Sequence, residues 1–311
     1  MTSRSPVQRA STAGRRGWLA AAVAAIIVAL VVVTGCGRST PADGEPLRFM
    51  ALGDFGTGGP AQRQVARQMA ATYRDWGADF VLLLGDNFYS RGVKSAEDPL
   101  WQSHFESVYD PAGLPIAFHA VAGNHDHKGD AKAQIEYSRR SARWHMPDHH
   151  YVFRRQAQDR SVDFFGIDVM VLDAPFGAQP TGLAWLNSAL AKSDADHKIV
   201  FGHFPIWASL GRYGDHADLV ERLAPVLQAN NVVLYIAGHE HHLEIQKPRK
   251  GLVQAISGAG SQNRDVAPGD AARFVSGRLG FLWFEIGSDG IEARAVSRDG
   301  DVLYSTQLAG R

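Results

Sequence analysis

Leu47-Arg48-Phe49-Met50-Ala51-Leu52-Gly53-Asp54-Phe55-Gly56 passes from a mostly apolar run into a glycine and a carboxylate. A short apolar run closed by a turn residue predicts a strand buried on both faces, with a polar group delivered at its end. The pattern recurs along the chain. Phe80 to Leu84 ends in Gly85-Asp86, and Pro115 to Val121 ends in Gly123-Asn124-His125-Asp126. Ile167 to Leu172 reads as a fourth strand, followed by a helix around Leu183 to Leu190. Ile199 and Val200 lead to His203, and Val232 to Ile236 leads to Gly238-His239. Between the first two runs, Pro60 to Trp76 carries Val65, Met69 and Tyr73 at helical spacing. After Gln254 short strands alternate with turns at Ser288-Asp289-Gly290 and Asp299-Gly300, which predict hairpins. Strands separated by helices, with hairpins at the end, predict an α/β fold of two mixed β-sheets sandwiched between α-helices. Such folds bind ligands beyond the carboxyl ends of their strands. Five strands deliver Asp, Asn or His to that edge here.

The chemistry of those donors narrows the function. Asp54, Asp86, Tyr89, Asn124, His203, His239 and His241 offer oxygen and nitrogen and no sulfur. The set is too large for one zinc ion and too rich in nitrogen for a calcium cage. It suits two metals sharing one carboxylate, with positions left for water and substrate. A pair of ions about 3.5–4 Å apart is the clamp used for in-line displacement at phosphorus. Each motif alone has a plainer explanation: Gly-Asp after a strand is often only a turn, and His239 and His241 could alternate on a polar strand.

Composition sets the frame. The chain has 311 residues, with 32 basic and 32 acidic side chains, and reads as a folded globular protein. Residues 1–35 hold Arg4, Arg9, Arg15 and Arg16 and no acid; setting these four apart leaves 28 basic against 32 acidic. A net negative body repels a phosphate backbone, so nucleic acid is not an expected partner. Cys36 is the only cysteine, which excludes an intramolecular disulfide. Four arginines precede the apolar stretch from Trp18 to Val33, the order of an export signal. Val33-Thr34-Gly35-Cys36 resembles a bacterial lipobox. Residues 1–35 are therefore expected to be a lipoprotein signal peptide, 36–46 a flexible tether and 47–311 the catalytic domain. The mature protein is expected in the cell envelope, held to a membrane by lipid on Cys36 or by an uncleaved anchor.

Asp54-Phe55-Gly56, Gly85-Asp86-Asn87-Phe88-Tyr89, Gly123-Asn124-His125-Asp126, Val200-Phe201-Gly202-His203 and Gly238-His239-Glu240-His241 resemble, in order, the five metal-binding blocks of purple acid phosphatases. Ala133-Gln134-Ile135, Gly202-His203-Phe204-Pro205 and Ser257-Gly258-Ala259-Gly260 are similar to the small, tartrate-resistant branch. The resemblance runs from about Arg48 to the C-terminus. It implies hydrolysis of small phosphate monoesters by a metal-bound hydroxide. By the same resemblance, Asp54, Tyr89 and His241 would hold Fe(III), and Asn124, His203 and His239 a second metal: Fe(II), Zn(II) or Mn(II). Asp86 would bridge them, His125 would protonate the leaving alcohol, and Asp126 would orient His125. Tyr89 stands where the wider family usually has aspartate. A phenol with a reference pKa near 10 becomes a phenolate ligand at neutral pH only beside a strongly acidic cation, which argues for iron(III). Tyr213 occupies the place of a histidine found in animal members, and nearby His216 is the expected substitute. The rival readings are a metallophosphodiesterase or nucleotidase and a non-enzymatic phosphate-binding lipoprotein. His127 is expected to support the site indirectly. His242 is read as a pocket-lining or exposed polar residue, His145, His149 and His150 as a polar loop, and Arg139, Arg140, Arg143, Arg154 and Arg155 as a solvated helix face.

Overall fold

A computed structural model describes residues 44–209 and 213–309. The expected signal segment and Cys36 lie outside the described residues. Among the described residues no helix is long and apolar enough to cross a membrane.

Strand β1 (Leu47–Leu52) leads into helix α1 (Pro60–Trp76), then β2 (Phe80–Leu83), β3 (Ala117–Ala120), α2 (Ala131–Tyr137) and β4 (Trp144–His145). A hairpin of β5 (His150–Ala157) and β6 (Arg160–Ile167) follows, then α3 (Gly182–Lys192), β7 (His197–Phe201), α4 (Ala217–Ala229) and β8 (Leu234–Ala237). The chain ends in β9 (Leu243–Gln246), β10 (Val253–Ser257), β11 (Ala272–Ser276), β12 (Gly280–Gly287), β13 (Gly290–Ser297) and β14 (Val302–Ala309). They form two seven-stranded mixed sheets, in the orders β14-β13-β12-β1-β2-β3-β4 and β11-β9-β10-β8-β7-β6-β5. This is the expected sandwich.

Alternation along β1 explains the layering. Phe49 turns inward and packs on Phe80 and Phe284, with ring centroids 5.3 and 4.8 Å away, and edge-on to Phe164 of the opposite sheet. Met50 and Leu52 face outward, in the cluster that buries Val65, Ala66 and Met69 of α1. On the far side Leu186 and Leu190 of α3 and Leu219, Leu223 and Leu227 of α4 cover Phe165, Val200 and Tyr235. Strands buried on both faces need no polar alternation, which is why they read as continuous apolar runs. Helix α1 begins with proline in its first turn and stops at Gly77, whose N–H donates to Tyr73 O and whose φ of 80° favours glycine.

One strand is displaced from its expected place. The strand is Arg160–Ile167, and Val169–Val171 forms a short 3₁₀ turn. The Asp168 carboxylate accepts from Met170 N and caps that turn, while Val169 and Leu172 are buried in the cluster with α3 and α4. The apolar run past Ile167 is thus a helix-facing turn.

Candidate metal centre

Strands β1, β2 and β3 are parallel neighbours in one sheet, and β7 and β8 in the other. Their carboxyl ends therefore open at one edge, and the loops there interlock. Gly53 N donates to Ser257 O, Asp54 N to Gly85 O and Gly238 N to His203 O. Three donor residues, Asp54, Asp86 and His239, have φ of 56°, 53° and 67°. Left-handed backbone is uncommon outside glycine and clusters at functional sites. Gly123 is required by close approach: a Cβ there would collide with the backbone nitrogen and Oδ1 of Asp86.

The seven expected donors converge. Asp86 is 2 % exposed, and its two oxygens face different partners. Oδ2 accepts from Tyr89 Oη at 2.9 Å, whereas Oδ1 lies 3.4 Å from His203 Nε2. Around Tyr89 Oη also stand Asp54 Oδ1 at 3.0 Å and His241 Nε2 at 3.3 Å. Around His203 Nε2 stands Asn124 Oδ1 at 3.1 Å. The His239 ring lies edge-on to His203 at 5.1 Å, and its backbone N–H donates to Asp54 Oδ2. Ligand atoms of Asp54, Asp86 and His203 all fall within 4.8 Å of one another.

Too few protons are available for so many lone pairs. Tyr89 has one proton for three acceptors. His203 Nδ1 faces the Leu84 carbonyl at 2.8 Å; in the neutral ring that donation leaves the Nε2 lone pair aimed at two oxygens. Buried acceptors facing one another are costly unless a cation stands between them. The residues therefore fit two metal ions, one on each side of Asp86. Protonation responds to the same crowding. Burial raises the Tyr89 pKa far above its usual value, and the charges of Asp54 and Asp86 raise it further. Burial alone would lower the His203 pKa, but Asp86 and Asp54 raise it on balance. His239 is driven down to about 2 by burial and by His203 and His241, which keeps its ring neutral.

The two singled-out acid–base residues differ in their commitments. The His125 ring packs on Tyr89 at 4.6 Å, its Nδ1 lies 2.7 Å from Ser90 O, and its Nε2 lies 4.0 Å from Asp86 Oδ2. Asp126 does not serve His125 as expected. Its carboxylate is fully buried and accepts from the backbone N–H groups of Gly123, Asn87 and Phe88. Burial and the charge of Asp86 push its pKa up to about 7. Asp126 pins together the loops that carry Asp86 and Asn124.

His216 precedes α4 and lies 5.3 Å from the Phe204 ring, in a cleft of about 430 Å³ that also includes Tyr213 and His239. Tyr213 stacks on His239 at 4.7 Å, so this cleft adjoins the neighbouring rings of His239 and His203.

Other histidines are placed differently from their expected surroundings. His242 is 1 % exposed and pairs with Glu244 at 2.8 Å, away from solvent. His150 is 2 % exposed at the start of β5, and His145 lies in β4, so neither belongs to a polar loop. The arginines form no single face: Arg143 lies over Phe105 and Phe118, Arg155 over Phe80 and Phe153, and Arg154 pairs with Asp163.

Sequence reading missed Asp168. It is fully buried and receives His127 Nε2 and His149 Nδ1, each at 2.8 Å from Oδ2. Burial would lower the His127 pKa, but Asp168 raises it; burial would raise the Asp168 pKa, but both histidines lower it. The His127 contribution is thus present below its unfolded pKa near 6.5 and fades as pH rises through the raised value. The Asp168 contribution is present above about pH 4 and fades as pH falls through the lowered value. Both act between roughly pH 4 and 6.5. His127→Phe is therefore expected to lower Tm by about 2 °C more at pH 5.5 than at pH 8.5. Equal losses in thermal melts at the two pH values would remove the ion pair from the account.

The family model described as calcineurin-like phosphoesterase matches residues 47–243. The chain is 35% identical over 298 residues to tartrate-resistant acid phosphatase type 5 of Sus scrofa, covering 85% of this chain and 87% of that one. It is 34% identical over 319 residues to the Homo sapiens protein of the same name, covering 92% and 97%. Among solved structures it is similar to GAP50, the anchor in the inner membrane complex of Plasmodium, with TM-score 0.76 and 28% identity over 86% of this chain and 89% of that one.

Proposed function

The chain belongs to the calcineurin-like phosphoesterases, in their tartrate-resistant, purple acid phosphatase branch, and on that premise we propose that it hydrolyses phosphate monoesters at a centre of Fe(III) and one divalent ion, Fe(II), Zn(II) or Mn(II). The observation that carries this reading is Asp86, whose two oxygens face two separate groups of candidate metal ligands. Asp54, Tyr89 and His241 would hold the ferric ion, Asn124, His203 and His239 the divalent one, and Asp86 both. Bound there, the pair supplies Lewis acidity toward the phosphoryl oxygens and toward a water.

The remaining work falls to side chains. With Nδ1 donating to Ser90 O, His125 carries its exchangeable proton at Nε2, on the Asp86 side. That proton goes to the departing ester oxygen and spares the alkoxide a free negative charge. Asp126 holds the Asp86 and Asn124 loops in register, so its removal acts through geometry. The cleft walled by Phe204, Tyr213 and His216 borders the His239 side of the centre and leaves the His125 edge free for the leaving group.

Turnover by metal-loaded protein separates the readings. The kcat/KM for 4-nitrophenyl phosphate is expected to exceed that for bis(4-nitrophenyl) phosphate by about tenfold or more. Dominant diester turnover would make the chain a phosphodiesterase, and phosphate binding without turnover of either ester would make it a binding protein.

A further inference from the structure

Beside His125 stands a cation that no carboxylate neutralises among the described residues. Lys128 Nζ lies 3.3 Å from His125 Nδ1 and 3.2 Å from its Nε2. Among the described residues Lys128 forms no ion pair within 4.0 Å, and its side-chain polar contacts are those to this ring.

The position is built from the backbone outward. Lys128 closes the 3₁₀ turn Asp126–Lys128. Lys128 N donates to His125 O, Gly129 N to Asp126 O, and His127 N to Gly123 O. Gly92 N donates to His125 O and Asp130 N to Val93 O, which ties this turn to the segment after Tyr89. From the other side, Asp168 holds the His127 ring. The stem of Lys128 thus rises from a braced turn and sets its charge against the His125 ring.

We propose that Lys128 is a specificity-determining residue that favours phosphate esters whose leaving group carries its own anion, a second phosphate or a carboxylate. This rests on the hydrolase reading above. A hydrogen bond of about 3 Å from His125 Nε2 to the departing oxygen places Nζ within roughly 6 Å of that oxygen. An anionic group two to four bonds along the leaving group falls within that reach. A compact, strongly hydrated ammonium suits such a contact, because it pairs as a point charge without demanding one planar partner. Its value lies in discrimination: a neutral leaving group gives Nζ nothing to pair with, whereas an anionic one meets an already positioned cation.

The test compares phenyl phosphate, 2-carboxyphenyl phosphate and inorganic pyrophosphate on metal-loaded full chain. Lys128→Met is expected to lower kcat/KM for the two anionic-leaving substrates about fivefold more than for phenyl phosphate, mostly through KM. Lys128→Arg should keep most of the preference, and added salt should erode it in the unsubstituted protein but not in Lys128→Met. Calorimetric binding of methylenediphosphonate, whose bridge cannot be hydrolysed, against methylphosphonate gives a readout without turnover. The unsubstituted protein should favour the diphosphonate, and Lys128→Met should lose that margin. Equal kinetic losses for all three substrates would assign Lys128 to the transferred phosphoryl group and overturn the proposal, as would an unchanged binding margin. A chain that binds with the expected margin but turns over no ester would instead sink the hydrolase reading and leave the lysine assignment standing.

Discussion

Asp86→Asn is expected to lower kcat/KM for 4-nitrophenyl phosphate by about a thousandfold and to leave the purified protein short of metal. The amide keeps one acceptor and loses the charge, yet the position must serve two sets of ligands. Oδ1 faces His203 Nε2 and accepts from His125 N at 2.8 Å, and Oδ2 faces Tyr89 Oη at 2.9 Å. An asparagine oriented toward either side presents an NH2 group to the other, where the His125 N–H or the Tyr89 hydroxyl already donates. Neither orientation can bridge two cations. The same substitution should raise Tm of the metal-free protein, because Asp86 contributes to the upward push on the Asp126 carboxyl and repulsion stored at a site is released when one charge is removed. Metal content by mass spectrometry, turnover and thermal melts give three separate readings. Full metal occupancy with unchanged turnover would end the role assigned to Asp86. Loss of metal accompanied by a lower metal-free Tm would mean that the carboxylate serves the fold itself.

The elements that position this carboxylate were legible because local signals agree with the tertiary outcome. Gly59-Pro60 and Gly77 bracket α1, and both its ends fall where those residues put them. Strands β1 and β2 were visible as apolar runs because sheet and helix layers bury both faces, and their polar ends stood out against that background. The same logic misreads Ile167 to Leu172, where apolar side chains face helices from a turn. A short apolar run has no period long enough to distinguish the two. The donors were legible as a set, since Gly-Asp, Gly-Asn-His and Gly-His repeat at successive strand ends. Their pairing was not: that Asp86 faces Tyr89 with one oxygen and His203 with the other depends on a left-handed residue and on two loops meeting. Long-range polar partnerships were the least visible. Asp168 meets His127 across 41 positions of sequence, and nothing around Ile167-Asp168-Val169 marks it as an acceptor for two imidazoles. The arginines show the converse error, because charge in a sequence suggests solvent while Arg143 and Arg155 lay their guanidinium groups over aromatic faces.

Tyr89→Phe should abolish visible absorption by iron-loaded protein and release the iron(III) preference, while leaving the fold intact. The substitution removes one oxygen and keeps the ring, and the ring's packing on His125 needs no hydroxyl. What disappears is the only phenolic oxygen among the seven donors, placed 2.9 Å from Asp86, 3.0 Å from Asp54 and 3.3 Å from His241. Phenolate is a hard, anionic donor whose charge-transfer band to iron(III) colours a protein, and carboxylate, amide and imidazole donors supply no such band. Once the phenol oxygen is gone, Asp54, His241 and Asp86 would remain to hold the first of the proposed metals, a set that suits a divalent ion as well as a trivalent one. The expected result is therefore a colourless protein that still retains divalent metal and part of its activity. Retained colour in the variant would place the chromophore on another residue. A colourless unsubstituted protein with iron bound would remove Tyr89 from the ferric site, while the meeting of the other five donors around Asp86 would still call for two cations.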